Sequence, residues 1–449
     1  MSRSRHVPGM TARTAVAAVV LACSVQPAAA GQQAPGSGAP PRPLEVEALV
    51  ARALERAPSV GARRARLAAA EAVRPAAGIL PDPMVEFEYR DAGFPRQTFG
   101  SDPMSMIGAM VRQPLLAGAR RTAARAVAAS EVQQRRAEVE ALASELTAAV
   151  REQYARLYAV DRERAVLGDA LQIADLLVTT ASSRYAAGES DQASVLRTQL
   201  ERTRLGERIA DLDGERAVLA AGLNRLTDDP PGTAVAEVTA LPEFPALEMP
   251  LDLVPDLAAT AAPQVAVRQS EVALAGDRIA AARAELKSNL SLGGGIYWQG
   301  NTDRVVTFTV GIDLPFRRHG RQGPMIAATE REAEAARLEL ADAAAAARTE
   351  AAQLVAEIRR AEAQLVRYRT GLLPQSSAAL DAARAGYLGG RGEFAAALDE
   401  FRRWTEIRVE VARREAARFA ALGRLHALVS RPAEGKPTGG VQPTPKENV

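Results

Sequence analysis

Residues 184–192, Arg-Tyr-Ala-Ala-Gly-Glu-Ser-Asp-Gln, and residues 386–394, Gly-Tyr-Leu-Gly-Gly-Arg-Gly-Glu-Phe, are two copies of one short motif. The tyrosines of the copies are 202 positions apart (387 − 185). The aligned residues are Tyr185 with Tyr387, Gly188 with Gly390, and Asp191 with Glu393. Glycine lets a helix stop and reverse within a few residues, and an acidic residue suits the exposed N–H groups of the next helix. Both copies therefore predict the tip of a helical hairpin.

Two further markers repeat in the same order, which predicts an internal duplication. Ala57-Pro58-Ser59-Val60 is echoed by Ala262-Pro263-Gln264-Val265, an offset of 205 (263 − 58). Gln113-Pro114-Leu115 is echoed by Leu314-Pro315-Phe316, an offset of 201 (315 − 114). The chain is therefore predicted to be two halves of one design, residues 44–245 and 246–431.

The composition favours long, closely packed helices and offers little for catalysis. Aromatic residues make up only 4% of the 449 residues and charged residues 24%, with long tracts of alanine, arginine and glutamate; such tracts favour helix. The net charge of +2 comes from interspersed signs, so no basic stripe indicates a nucleic-acid partner. Three scattered histidines and one cysteine predict no metal site, disulfide framework or cofactor.

The N-terminus predicts export from the cytoplasm. Arginines precede a short apolar run that ends near Ala28-Ala29-Ala30, as in a secretory signal peptide covering residues 1–30. Cys23 leaves a second cut open, because the residues before it resemble a bacterial lipoprotein box, in which the cysteine becomes the lipidated first residue; otherwise Cys23 is discarded with the peptide. Residues 31–43 are predicted to be an extended leader and residues 432–449 a disordered tail.

Each half carries one predicted β-hairpin, at residues 84–113 and 290–314. In the last strand one face is apolar and the other polar or small; the apolar residues are Val306, Phe308, Val310 and Ile312. This alternation over 9–11 residues is typical of a tilted membrane strand, and equally of a half-buried sheet in water. Four strands beside such long helices cannot form an independent core, which favours the membrane. Tyr297 and Trp298 are interpreted either as an aromatic belt or as residues that cap a strand.

The helical segments are too long for an ordinary globular domain. From Val139 to Leu157, apolar residues recur on average every 3.6 positions, as on one face of a nearly straight helix. The helix predicted from residue 118 to 182 extends about 90 Å at ~1.5 Å per residue, so it cannot be buried by its own chain alone. The other predicted helices cover residues 44–80, with an interruption at Pro58, and residues 191–226, 257–287, 324–386 and 393–429.

In this order the motifs resemble the TolC-type outer membrane efflux proteins of Gram-negative bacteria, over about residues 44–431. The resemblance rests on the duplicated plan, on Pro81-Asp82-Pro83 before the first strand, and on the tyrosine-glycine tips. It implies a mainly α fold in which helical hairpins of a homotrimer form an α-barrel tunnel, and four strands per chain contribute to a twelve-stranded transmembrane β-barrel. Leu80-Pro81-Asp82-Pro83-Met84 looks most like members that serve heavy-metal exporters of the resistance-nodulation-division class.

The resemblance also implies roles for the tips. Tyr185, Gly188, Tyr387 and Gly390 would dock on a membrane-fusion adaptor that connects to the inner-membrane pump; the alternative is that the tyrosines pack across their own tips. In the family, an aspartate pair after the second tip often rings the channel entrance. Asp399 matches its later member, Ala396 stands in place of the earlier one, and Glu393 could supply charge nearby. Asp399 could equally be an ordinary solvated helix residue.

The main alternative is a periplasmic coiled-coil adaptor or scaffold, which accounts for the helices but expects one hairpin instead of two. An enzyme ranks third, because no histidine-acid-nucleophile set or phosphate loop is present.

Overall fold

A computed structural model of the chain describes residues 45–91, 93–96, 99, 101–102, 104–245, 249–299, 304–389 and 392–429. The predicted signal peptide, Cys23, the leader, Gly390 and the C-terminal tail lie outside the described residues. The predictions made for them therefore remain predictions.

Within the described ranges the chain is mainly helical, with one small sheet, as predicted. The α-helices are α1 (Val46–Arg56), α2 (Pro58–Val73), α3 (Gly118–Ala186), α4 (Gln192–Leu226), α5 (Val254–Ala261), α6 (Pro263–Ala284), α7 (Gly323–Arg367), α8 (Leu373–Leu388) and α9 (Phe394–Val429). The strands are β1 (Met84–Arg90), β2 (Met106–Leu115), β3 (Asn289–Trp298) and β4 (Arg304–Asp313). Short 3₁₀ turns precede β1 and α5, and π-helical turns occupy Arg318–Gln322 and Tyr368–Leu372.

Both halves open with the same broken helix. Proline restricts the residue before it to an extended backbone, and Ala57 and Ala262 have ψ angles of 122° and 139°. Pro58 and Pro263 then begin the next helix, where a missing N–H costs nothing. The single helix predicted over residues 257–287 is accordingly two helices, α5 and α6, that meet at this break.

The four strands form one antiparallel sheet in the order β1-β2-β3-β4. Val85 pairs with Val111 in the first hairpin, and Leu290 pairs with Ile312 in the second. Partner numbers add up to 196 in the first hairpin (85 + 111) and to 602 in the second (290 + 312), a difference of 406. The offsets of the two sequence markers, 205 and 201, add up to the same number, so the two hairpins have equivalent registers.

β2 does not end before Pro114, as the sequence predicts, but continues to Leu115. Pro114 pairs with Ser291 of β3, whereas β1 reaches only to the partner of Arg112. At Pro114 the strand therefore has a neighbour on one side only. A proline is tolerated there because its missing N–H faces no strand.

The longest helix, α3, has 69 residues and extends about 100 Å. It packs against α4, α6 and α9. Residues 324–386, predicted as one helix, are divided between α7 and α8 by the π turn before Pro374. A proline inside a helix clashes with the carbonyl four residues earlier, and the wider π turn accommodates it.

Two buried clusters lie at different levels of the long helices. One joins Val150 and Tyr154 of α3 to Val50, Leu223 and Phe419. The other lies toward the tips and joins residues of α3, α4, α8 and α9, namely Leu177, Leu205, Leu380, Tyr387 and Phe401. The predicted apolar stripe of α3 is buried from Leu146 to Leu157 and half-buried at Val139 and Leu142.

Candidate functional site: the sheet and the helical tips

One face of the sheet is apolar and exposed. Residues directly opposite each other on antiparallel strands point to the same face, so the register defines both faces. The large apolar residues of this face are Val85, Phe87, Tyr89, Ile107, Val111, Leu290, Leu292, Ile296, Trp298, Val306, Phe308, Val310 and Ile312. All are exposed in the single chain, and Phe87 and Phe308 are each 84% exposed. An apolar patch of this extent marks a surface that contacts lipid or another protein.

The other face carries charges, hydroxyls and glycines. Arg112 forms an ion pair with Glu86 at 3.2 Å, and Arg90 with Glu88 at 3.0 Å. The Tyr297 hydroxyl donates a hydrogen bond to Glu88 (2.9 Å) and accepts one from Arg90 (3.1 Å). A soluble sheet buries its apolar face and wets its polar one; here the apolar face is the exposed one.

Tyr297 corrects part of the sequence interpretation. Its neighbour Trp298 lies on the apolar face and is 43% exposed, but Tyr297 is fully buried on the polar face. The ring lies over Gly108, where a Cβ atom would be 2.3 Å from it. Tyr297 is therefore neither part of an exposed aromatic belt nor a strand cap.

The first tip has the hydrogen bonds of a Schellman turn. The N–H of Gly188 donates to the Tyr185 carbonyl (3.0 Å), and the N–H of Glu189 donates to the Arg184 carbonyl (2.8 Å), which satisfies the last carbonyls of α3. Gly188 has a φ of +75°, a conformation that favours glycine. Asp191 then caps α4, accepting from the N–H of Ser194 at 3.0 Å and from its hydroxyl at 2.5 Å. These hydrogen bonds lower the pKa of Asp191.

The second tip turns in a different way. The N–H of Gly392 donates to the carbonyl of Gly386 at 3.0 Å, and the two glycines lie against each other. A Cβ atom on Gly392 would be 3.0 Å from the Gly386 carbonyl carbon, so the backbone at Gly386 would have to shift slightly to admit a side chain. Sequence reasoning missed this role, although the motif contains four glycines between residues 386 and 392.

The two aligned tyrosines are not equivalent. Tyr185 is 48% exposed, whereas Tyr387 is 3% exposed and its ring meets that of Phe394 at 5.5 Å. Arg184 of the first tip donates to the Tyr387 carbonyl (2.6 Å), and its guanidinium lies 5.0 Å from the centre of the ring. Burial raises the pKa of Tyr387, and its hydroxyl has no hydrogen-bond partner among the described residues. Arg184 and Tyr387 thus hold the two tips together.

The proposed entrance residues lie at the start of α9, with Glu393 directly before the helix and Asp399 within it. Glu393, Ala396 and Asp399 are spaced by three residues and all are exposed, and residues at this spacing are neighbours on a helix surface. Asp399 is 3.8 Å from Arg402, which also binds Glu201 at 2.6 Å. The acidic face is therefore accompanied by a basic residue that the sequence analysis did not consider.

Two buried carboxylates that the sequence analysis missed fasten α3 to its neighbours. Asp161 is 1% exposed, and it accepts from Arg216 of α4 (2.6 Å) and from the N–H of Val238 in the connector after α4 (2.8 Å). Glu163 accepts from Arg208 of α4 at 2.8 Å and from Arg413 of α9 at 2.7 Å. Nothing in the sequence separates these acids from the many exposed acidic residues of α3.

One helix has the length and composition of a membrane span. The most apolar 18 residues of α3 have a mean hydropathy of 1.2, and a third of this window is buried in the single chain. One such helix is weak support, because core helices of soluble proteins share these properties. Across the described ranges, no group of three or more histidine, cysteine or acidic side chains is placed to hold a metal ion.

Comparison with solved structures identifies the fold. OprN, an outer-membrane channel, superposes with a TM-score of 0.72 at 15% identity, covering 86% of this chain and 90% of OprN. VceC, an outer membrane protein of Vibrio cholerae, gives 0.72 at 17% identity over 86% of this chain and 96% of VceC. CusC, which forms a transmembrane channel, gives 0.70 at 16% identity over 86% and 91%. No protein-family model matches the sequence, and no curated protein does. At these identities the likeness shows a shared fold.

Proposed function

We propose that the protein is the outer membrane channel of a tripartite efflux system in a Gram-negative bacterium. In this role it is a homotrimeric duct from the periplasm to the exterior. The observation that carries the proposal is the exposed apolar face of a sheet whose other face is charged and polar. A wall between lipid and a water-filled lumen requires this arrangement.

The proposal accounts for the size of the sheet. In lipid, every backbone polar group of a sheet must be paired, so the sheet must close on itself. The four strands of one chain are too few to enclose a pore, whereas three copies supply twelve. The long helices of the three copies would continue the duct as a tunnel through the periplasm.

The tips are the proposed contact with the membrane-fusion adaptor, and through it with the inner-membrane pump. At the first tip Tyr185 is about half exposed and is free to contact the adaptor. Gly188 contributes by shaping the turn, and Gly390 is proposed to act similarly at the second tip. Tyr387 is buried against Arg184, so its proposed contribution is to hold the surface in place. Glu393 and Asp399 would lie at the channel entrance.

The scaffold alternative has no observation in its favour. A periplasmic coiled-coil protein needs long helices, but it would expose the apolar face of the sheet to water, where such a patch promotes aggregation. The similarity to channel structures also extends over 86% of the chain.

The mass of the native protein tests the proposal. The protein is extracted from outer membranes in mild detergent, and samples with and without boiling are compared. We expect a species of three chains that collapses on heating. A soluble monomer or dimer in the periplasmic fraction would refute the channel and favour the scaffold.

The proposed cargo is heavy-metal cations. Support comes from the sequence resemblance at Leu80–Met84 and from the exposed acids Glu393 and Asp399, since acidic rings favour cations. Deletion of the gene should then lower metal tolerance. Unchanged metal tolerance, together with new sensitivity to dyes or detergents, would contradict the cargo but leave the channel standing.

A further inference from the structure

We infer that β4 pairs with β1 of the next copy in one particular register, in which Ile312 lies opposite Tyr89, Leu314 opposite Phe87 and Phe316 opposite Val85. This inference rests on the trimeric channel proposed above. It goes further by assigning the residues of the seam that closes the barrel between copies.

The join between the two halves of one chain supplies the template. There, β2 of the first half pairs with β3 of the second half. β2 and β4 are the second strands of their hairpins, and β1 and β3 are the first strands. In a closed ring of duplicated chains, the second strand of each hairpin pairs with the first strand of the following hairpin. β4 must therefore pair with β1 of the next copy as β2 pairs with β3. The seam between copies is therefore the equivalent of a contact that the structure already contains.

The residue offsets between the two halves give the β4–β1 pairs from the observed β2–β3 pairs. The proline marker at the end of the second strands, Pro114 and Pro315, shifts those strands by 201 residues (315 − 114). The two hairpin registers fix the sum of both shifts at 406 (602 − 196), which leaves 205 for the first strands. The template pairs Val111 with Gly294, Gln113 with Leu292, and Leu115 with Leu290. Adding 201 to the β2 residues and subtracting 205 from the β3 residues gives the three pairs stated above.

The residues brought together suit a lipid-facing seam. All six are apolar or aromatic, and all are exposed in the single chain, from 38% for Tyr89 to 85% for Phe316. They continue the apolar face that the other strands form. A register shifted by one residue would instead turn this row toward the polar face.

The residue at which β4 ends supports the same inference. β2 continues to Leu115, whose equivalent is Phe316, yet β4 ends at Asp313. The last residues of β2 are held by β3, whereas the equivalent neighbour of residues 314–316 belongs to the next copy. In the single chain the Phe316 N–H instead donates to the Leu314 carbonyl at 2.9 Å. Pairing with β1 of the next copy would open this tight turn and extend β4.

The hydrogen bonds of an arginine near the sheet also support the equivalence of the two joins. Arg120 of α3 donates to the carbonyls of Ala284 (3.3 Å) and Glu285 (2.7 Å) at the end of α6. The equivalent carbonyls of the next copy are those of Ile79 and Leu80. The offset of 201 places the equivalent of Arg120 at position 321, or at position 322 if the π turn Arg318–Gln322 inserts one residue before it. Of these two positions, 321 is an arginine. Arg321 is exposed and forms no ion pair among the described residues, so it is free to reach that neighbour.

Paired cysteines test the register. Directly opposite residues have Cα atoms about 4.5–5.5 Å apart, within disulfide range, whereas a two-residue slip separates them by roughly 8 Å, beyond it. The expected pair is Ile312→Cys with Tyr89→Cys; Cys23 is kept, because it is expected to be lipidated or removed with the signal peptide and so to supply no free thiol. The matched controls are slipped by two residues in either direction on the same face, Ile312→Cys with Phe87→Cys and Val310→Cys with Tyr89→Cys.

After oxidation, boiled and non-reduced samples should contain covalent dimers and trimers with the expected pair, at least about tenfold more than with either control. A native trimer in which a slipped pair cross-links better, or in which no pair cross-links, would overturn the register and leave the channel proposal intact. A protein that is monomeric before oxidation would overturn both. The uncross-linked mass of each variant is therefore measured first.

A second variant tests the arginine contact. Arg321→Ala should lower the temperature at which the native trimer dissociates by several degrees, because two hydrogen bonds are lost at each of three seams. Arg317→Ala, four residues away and also exposed, is the matched control and should have little effect. Equal shifts in the two variants would refute the contact assigned to Arg321.

Discussion

The buried carboxylate of Asp161 offers the sharpest test of how the long helices are held together, because the chain contains its own control. Asp161 of α3 binds Arg216 of α4 at 2.6 Å. Asp213 of α4 binds Arg164 of α3 at 2.7 Å. The two ion pairs join the same helices at nearly the same distance. The aspartate side chains differ in exposure, with 1% for Asp161 and 53% for Asp213.

Burial should separate the two pairs in energy. Removing one partner of a buried pair costs about 3–5 kcal/mol, because the other charge is left without compensation. Asp161→Ala also removes the acceptor of the Val238 N–H. Arg216 is 22% exposed and keeps a hydrogen bond to the Val235 carbonyl, so we expect the lower end, about 3 kcal/mol. The exposed pair of Asp213 should contribute about 0–1 kcal/mol.

Amide hydrogen exchange in the connector is the direct assay. Each ~1.4 kcal/mol is tenfold in an equilibrium constant, so Asp161→Ala should speed exchange around Val238 by roughly 100-fold if opening is local. Asp161→Asn, which keeps one acceptor oxygen, should give about tenfold, since it costs about 1–1.5 kcal/mol. Asp213→Ala should give less than about fivefold. Residues 192–205, far along α4, should exchange as in the unmodified protein.

Two outcomes would refute this reasoning. Equal acceleration by Asp161→Ala and Asp213→Ala would show that burial does not set the strength of these pairs. Unchanged exchange at Val238 in Asp161→Ala would show that the carboxylate does not hold the connector.

Three further predictions follow from the faces of the sheet, the first tip and the half-buried His426. Phe308→Lys should reduce the yield of native trimer in outer membranes, since a lysine on the lipid face costs about 2–4 kcal/mol, whereas Thr309→Lys on the opposite face should be tolerated. Gly188→Ala should speed amide exchange at the first tip, because the positive φ of this position costs alanine about 1–2 kcal/mol. Gly206 lies in the middle of α4 with open space around it. Gly206→Ala should therefore slow amide exchange in α4, because it stabilises the helix by about 1 kcal/mol. Burial and Arg151 lower the pKa of His426, so the unfolded chain gains a proton below pH 6.5 that the folded chain resists, and thermal stability should fall as the pH drops below that value; His426→Phe should remove this part of the pH dependence.

Much of the fold could be predicted because its signals are local. The helical tips, the proline break before residue 58 and the alternation in β4 depend on neighbouring residues, and the structure contains all three. Which face of the strands is exposed to solvent could not be predicted from local signals. Alternation along one strand predicts two faces but not which one is covered, and the register of all four strands was needed to show that the apolar face is exposed.

The candidate site was less predictable, because its details depend on contacts between distant helices. Tyr185 and Tyr387 occupy the same place in the repeated motif, yet only Tyr387 is covered by Arg184 and Phe394. Asp161 looks like any other acid of a charged helix until Arg216 and Val238 reach it from elsewhere in the chain. A motif read along the chain carries no information about such neighbours.

The duplication carries information of another kind, because small changes in its offset record where the two halves differ. The offset falls from 205 before the hairpins to 201 after them, so the second half has four fewer residues between equivalent positions of its two strands. The segment between β3 and β4, residues 299–303, is also shorter than the segment between β1 and β2, residues 91–105. It rises to 202 at the tips, and two π turns lie between Pro315 and Tyr387. The strand pairs themselves need no adjustment, since both hairpins keep equivalent registers. That constancy allows a contact within one chain to specify the seam between two copies.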